Sequence, residues 1–204
     1  MQQFVRGQRA KISAFSSAQK FEVSVVLQSS RIPVFDFVCF GVDAGAQLSD
    51  DSYMVFFNQQ SAPDGVIQLL ELGDQKATFS VDLAKIPASV ARLVFTASVE
   101  GTGEMRTLDS GTFAMKEAEG AKASVLEYRF QGSDFATEGA LMLGEIYRKD
   151  GDWRFWAQGQ GFAGDLRALL KHFGGLESPE SSAAPTPTPQ TATGAAPVSP
   201  PPPT

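Results

Sequence analysis

The chain has one cysteine and one histidine in 204 residues, and these two shortages exclude more chemistry than any motif admits. A single thiol, Cys39, cannot form an internal disulfide, which fits a reducing compartment. It lies in the apolar run Val34 to Val42, where a small hydrophobe packs. Reactive thiols need a polar, electropositive setting instead. The lone His172 follows Lys171 near the end of a helical segment, where a positive charge suits the helix dipole. With one of each residue, a transition-metal site built on His and Cys cannot be assembled. Around His172, on the polar side of its helix, the sequence places no Ser-His or Cys-His nucleophilic pair. The expectation is a protein that is not an enzyme.

Clustered positive charge is missing too. The formal net charge is −6 and no Lys/Arg run forms a stripe, so nucleic acid is not an expected partner. No apolar run approaches the ~18 residues of a membrane helix. The start, Met1 to Arg6, lacks a signal-peptide core. A cytoplasmic location is therefore expected. Proline is scarce before Leu176 and dense after it, with nine of the twelve prolines in the last part. The chain divides into a domain over 1–176 and a Pro/Ala/Thr-rich tail over 177–204. The tail has too little apolar surface to offset chain entropy and is expected to be disordered, with polyproline character. Its run Pro200 to Pro203 offers a contact for an aromatic groove on a partner.

What the chain has in plenty is phenylalanine, 16 copies, enough for an aromatic core. Short apolar or alternating runs predict strands at 21–27, 34–42, 53–58, 77–83, 92–99, 112–116, 124–130 and 140–148. Ile86 to Val90 reads as a helical turn opened by Pro87. Asp150-Gly151 marks a two-residue hairpin turn leading into a return strand at 153–158. Phe162, Leu166, Leu169, Leu170 and Phe173 share one face of a late helix, stopped by Gly174-Gly175. Many strands and one late helix predict an all-β fold, a two-sheet β-sandwich with a C-terminal amphipathic helix. The spaced glycines Gly159, Gly161 and Gly164 lack a following βαβ unit. They read as a tight turn into the helix rather than a dinucleotide site.

The candidate functional residues are carboxylates. Asp36 interrupts an apolar strand and needs a cation, a base or hydrogen-bond donors around it. Asp43 ends that strand, Asp50 and Asp51 occupy the next turn, and Asn58 closes the segment after it. Oxygens from several loops converging on one point are what a hard cation such as Ca²⁺ requires. The other reading is that Asp43, Asp50 and Asp64 simply form turns. Trp153 and Trp156, of opposite parity, also admit a sugar platform.

Several blocks resemble the TerD-type tellurium-resistance and bacterial stress-protein family. They are Cys39-Phe40-Gly41-Val42-Asp43, then Leu48 to Gln59 with Asp50-Asp51, Ser61 to Gly65, and Val81 to Pro87. Gly144-Glu145-Ile146-Tyr147-Arg148 and the Gly159 to Leu166 segment are the most specific. The resemblance spans roughly residues 5 to 175 and is closer to the TerA-like branch. It implies a β-sandwich and, in many members, bound Ca²⁺. Here it implies a depleted site on Asp36, Asp50, Asp51 and Asn58, because Val34 stands where the motif's first carboxylate belongs. The later loop, Glu71 to Gln75, is also less acidic than the pattern. It implies a non-enzymatic stress-response role, with other tellurium-resistance or stress proteins and membrane-associated complexes as partners. The alternative is a metal-free scaffold of the same fold.

Overall fold

In the computed structural model, residues 1–119 and 123–175 are described. The reading of 177–204 as a disordered tail lies outside them. Two six-stranded sheets face each other. One runs β1 (Gln2–Phe4), β10 (Ser124–Phe130), β9 (Ser110–Glu117), β3 (Lys20–Gln28), β7 (Lys76–Asp82), β6 (Ile67–Gly73). The other runs β2 (Arg9–Lys11), β12 (Asp152–Phe162), β11 (Ala140–Lys149), β8 (Arg92–Val99), β4 (Phe35–Val42), β5 (Met54–Val55). All pairings are antiparallel except that of β1 with β10.

Alternation sets which side chains enter the core. Along β3, Phe21, Val23, Val25 and Leu27 are buried while the residues between them are not, the period-2 pattern of a sheet with one covered face. Phenylalanines from the two sheets interlock. Phe79 of β7 meets Phe95 of β8 at 5.6 Å, and Phe95 meets Phe113 of β9 at 5.5 Å. Phe113 meets Phe155 of β12 at 5.2 Å, and Phe155 meets Phe4 of β1 at 5.0 Å. Most of these contacts are edge-on, the geometry the ring quadrupole favours.

The far face of the second sheet is closed by α1 (Leu166–His172). Leu169 is fully buried there, and Phe173 stacks on Phe40 at 4.7 Å. Asp165 caps the helix, its carboxylate accepting the Ala168 N–H at 3.1 Å. Asp150 and Gly151 both take positive φ, 54° and 78°, as the expected hairpin turn requires.

Three expectations need correction. The segment 53–58 is strand only at Met54–Val55. Phe56 and Gln59 exchange backbone bonds at 3.0 and 3.1 Å, so the chain turns back before a longer edge strand can form. The Gln59 amide secures that turn on the carbonyls of Asp51 and Met54. Phe162 ends β12 instead of opening the helix. Ile86 to Val90 makes a single turn opened at Pro87 and closed by the Val90 N–H on the Pro87 carbonyl. Finally, Glu71 to Gly73 belongs to β6 and is not a loop. That strand was not legible because its outer half, Leu70 to Leu72, is exposed on consecutive residues beside a bulge.

Because Phe95 contacts rings on both of its neighbours in the opposite sheet, Phe95→Ala should cost about 3–5 kcal/mol. The melting midpoint should fall by on the order of 10 °C, measured by calorimetry. A loss under about 1 kcal/mol would mean that the ring contacts do not set sheet spacing.

Candidate functional site

The acidic turn after β4 is built around its own backbone. One oxygen of Asp43 accepts the N–H groups of Gly45 at 2.8 Å and Gln47 at 3.0 Å, and the other accepts the Ser49 hydroxyl at 2.6 Å. Asp50 accepts the Ser52 N–H at 2.9 Å and the Ser52 hydroxyl at 2.6 Å, capping the short 3-10 turn Asp51–Tyr53. These are the local side-chain-to-backbone bonds that Asp forms in turns. The Ser49 hydroxyl and the Gln47 and Gly45 amides hold Asp43 below the usual carboxylate range, and Ser52 does the same for Asp50.

Asp36 lies at the opposite end of β4, across from Ser98 of β8. At ~3.3 Å per residue, about 20 Å of strand separates it from Asp43. Asp36 is partly buried, and burial raises its pKa, with the charges of Glu100 and then Asp165 adding to the rise. Asn58 is exposed in the Phe56–Gln59 turn, and Asp51 is exposed on its own turn. Asp43, Asp50 and Asp51 thus gather at one end of β4 and Asp36 stands at the other. A Ca²⁺ ion needs six to eight oxygens at about 2.3–2.6 Å. Among the described residues no three His, Cys, Asp or Glu side chains gather in a metal-holding arrangement. The four expected ligands do not form one coordination sphere as placed, so the residues present do not fit the ion as a single centre.

Asp36 instead lines a cleft of about 330 Å³ at the open margin between the sheets, together with Phe57, Leu72, Asp74 and Glu100. The β6–β7 hairpin tip is tied to the start of β4. The Asp74 carbonyl accepts the Phe35 N–H at 2.8 Å, and the Gln75 amide donates to the carbonyls of Ser29 and Ile32.

A second charged centre was missed. Glu145, only 2% exposed, sits on β11 and accepts from Arg92 at 2.9 Å and from the Gln158 amide at 2.9 Å. Burial pushes its pKa up, while the charge and hydrogen bond of Arg92 and the charge of Arg9 pull it down. The signal was available: a carboxylate inside the apolar run 140–147, the same anomaly that drew attention to Asp36. Arg9 lies 3.9 Å over the Trp156 ring, and Trp153 packs on the core with Arg148 over it at 4.6 Å. The two tryptophans therefore do not make an open sugar platform.

A two-sheet sandwich with an end-of-strand acidic turn and a late capping helix defines the class. The chain belongs to the TerD domain family, whose model matches residues 1–173. It is 33% identical to the tellurium resistance protein TerA of Alcaligenes sp over 121 residues, 59% of this chain and 34% of that protein. The chain thus spans about a third of that relative's length. It is 31% identical to chemical-damaging agent resistance protein B of Clostridium acetobutylicum over 137 residues, 61% of this chain and 96% of that protein. The crystal structure of a homologue of telluride resistance protein from Streptomyces coelicolor A3(2) shares the fold. Its TM-score is 0.55 at 19% identity, covering 76% of this chain and 95% of that one. Among the described residues no helix is long and apolar enough to cross a membrane.

Two outcomes follow. The folded-state pKa of Asp36 exceeds the unfolded one, so its ionisation weakens the fold as pH rises past the ordinary carboxylate range near ~4. Asp36→Asn should therefore raise the melting midpoint at pH 7, with the gain shrinking as pH falls toward that range. A gain that grows on acidification would contradict the assignment. Separately, Arg92→Ala leaves Glu145 buried without its main counter-charge. It should cost on the order of 3 kcal/mol, the low end for a buried pair, since Arg92 is 36% exposed. Adding Glu145→Leu should restore part of that loss in urea unfolding, and an additive double mutant would deny the coupling.

Proposed function

We propose that this chain is a stress-response module of the TerD family that works by holding other proteins, without catalysing a reaction and without a divalent ion. The observation that carries the metal-free part is the engagement of Asp43 and Asp50 by their own turns. A turn already satisfied by amide and hydroxyl donors has no need of a cation to hold its shape. The buried thiol adds support. Burial pushes the Cys39 pKa far up, which removes the thiolate that redox chemistry needs. The relatives named for tellurium resistance and for resistance to chemical damage support the stress-response part. On this reading the partners are other stress or tellurium-resistance proteins, including membrane-associated complexes, and the location is cytoplasmic. The segment 177–204 supplies a further contact.

Thermal melts of the full chain in chelator and in millimolar Ca²⁺ test the metal part. The midpoint should not move. A site of ~10 µM affinity at ~1 mM Ca²⁺ would add about 2.7 kcal/mol, or roughly 5–10 °C for a chain of this size. A rise of that size, with matching heat in a calorimetric titration, would contradict the metal-free reading.

A further inference from the structure

The cleft at the sandwich margin has three properties that do not belong to a sealed surface. The first is a gap in the strand edge at Phe37, which is 2% exposed and reached only through the cleft that it lines. Backbone groups along an antiparallel strand point alternately to its two neighbours. Val34 accepts from Glu100 across the sheet and Val38 from the Thr96 hydroxyl, so the even residues of β4 face β8. Phe35 donates outward to Asp74, so Phe35 and Phe37 face away from it. On that outer side β5 pairs only with Cys39 and Phe40. The outward N–H of Phe37 and the carbonyls of Phe35 and Phe37 have no backbone partner among the described residues. An unpaired stretch of this kind is a template for an added strand.

The second property is apolar exposure. Outside the first five residues, the strongly exposed large hydrophobics of the described chain are Phe57 at 47%, Leu70 at 53% and Leu72 at 44%. Two of them line this cleft, and Leu70 lies on the same edge strand, β6. Isolated exposed leucines carry no meaning, but a group beside an open edge does.

The third is charge. Asp36, Asp74 and Glu100 line the cleft, with Asp165 close enough to act on Asp36. None of the four makes an ion pair among the described residues. This uncompensated negative charge selects a positively charged occupant. The chain's own 177–204 segment does not qualify. It contains no Lys or Arg, and its nine prolines lack the N–H groups a ladder needs.

We propose that this cleft docks an extended, basic segment of a partner protein as a short extra strand beside Phe37 of β4, in the gap between Asp74, bound to Phe35, and Val55, paired with Cys39. Main-chain bonds to Phe37 supply the register. Alternate side chains then fall on opposite faces, apolar ones toward Phe57 and Leu72 and basic ones toward the carboxylates. The proposal rests on the reading of the chain as a protein-holding module and adds to it the place and the chemistry of the contact.

The test uses the full chain and a short synthetic peptide alternating lysine with valine, followed by fluorescence anisotropy and amide chemical shifts. Binding should perturb the amides of Phe37, Phe57 and Leu72. It should weaken by about tenfold or more with Leu72→Lys, an exposed position that tolerates the change. A glutamate-valine peptide should not bind. Methylating the peptide amides along one strand edge should abolish binding for one of the two edges, since it removes the ladder donors. No binding at millimolar peptide would overturn the proposal, as would equal binding of both methylated forms, which would indicate charge attraction alone. Concentration-dependent dimerisation lost in Leu72→Lys, without peptide binding, would also overturn it in favour of a second copy of this chain. The Ca²⁺ melts are independent of these results, so the cleft can fail while the metal-free module stands.

Discussion

The zigzag of phenylalanine rings between the sheets is the constraint on which the rest depends. Phe79, Phe95, Phe113, Phe155 and Phe4 come from five strands and alternate between the two layers. Rings at these separations set how far apart the sheets stand, and close packing leaves little room for adjustment. Once the layers are fixed in this way, their margins are fixed too. At one margin the short β5 leaves half of β4 uncovered, and the β6–β7 tip, tied down through Asp74 and Gln75, forms the opposite wall.

The two charged anomalies in the strands behave differently because of where the sheets put them. Glu145 lies on the interior strand β11, flanked by β8 and β12, and both of its oxygens have donors. It is a satisfied structural charge. Asp36 lies near the end of β4, with like charges near it and no basic neighbour within ion-pair distance among the described residues.

Much of the fold was legible. Clean alternation in β3 and β7, the Asp150-Gly151 turn and the buried face around Leu169 are local signals that tertiary packing reinforced. What was not legible depended on partners distant in sequence. Strand β1 pairs in parallel with β10, and β2 joins β12, and a three-residue strand carries no period of its own. The candidate site was half legible. Asp36 was singled out as a charge among apolar residues, and the turn-forming roles of Asp43 and Asp50 were one of the two readings on offer. The separation of Asp36 from Asp50 and Asp51 could not be read, because it follows from β4 running straight between them. Phe57 was expected within a strand and Leu72 within a loop; Phe57 is exposed because β5 stops at Val55, and Leu72 because it lies past the bulge in the outer half of β6.

On the proposed reading the acidic turn is held by its own chain and not by an ion. Amide hydrogen exchange at Gly45, Gln47 and Ser52 tests it most directly, since these N–H groups donate to Asp43 and Asp50. Protection should be present in chelator and unchanged by Ca²⁺. Amides that exchange freely in chelator and become protected only when Ca²⁺ is added would contradict the account.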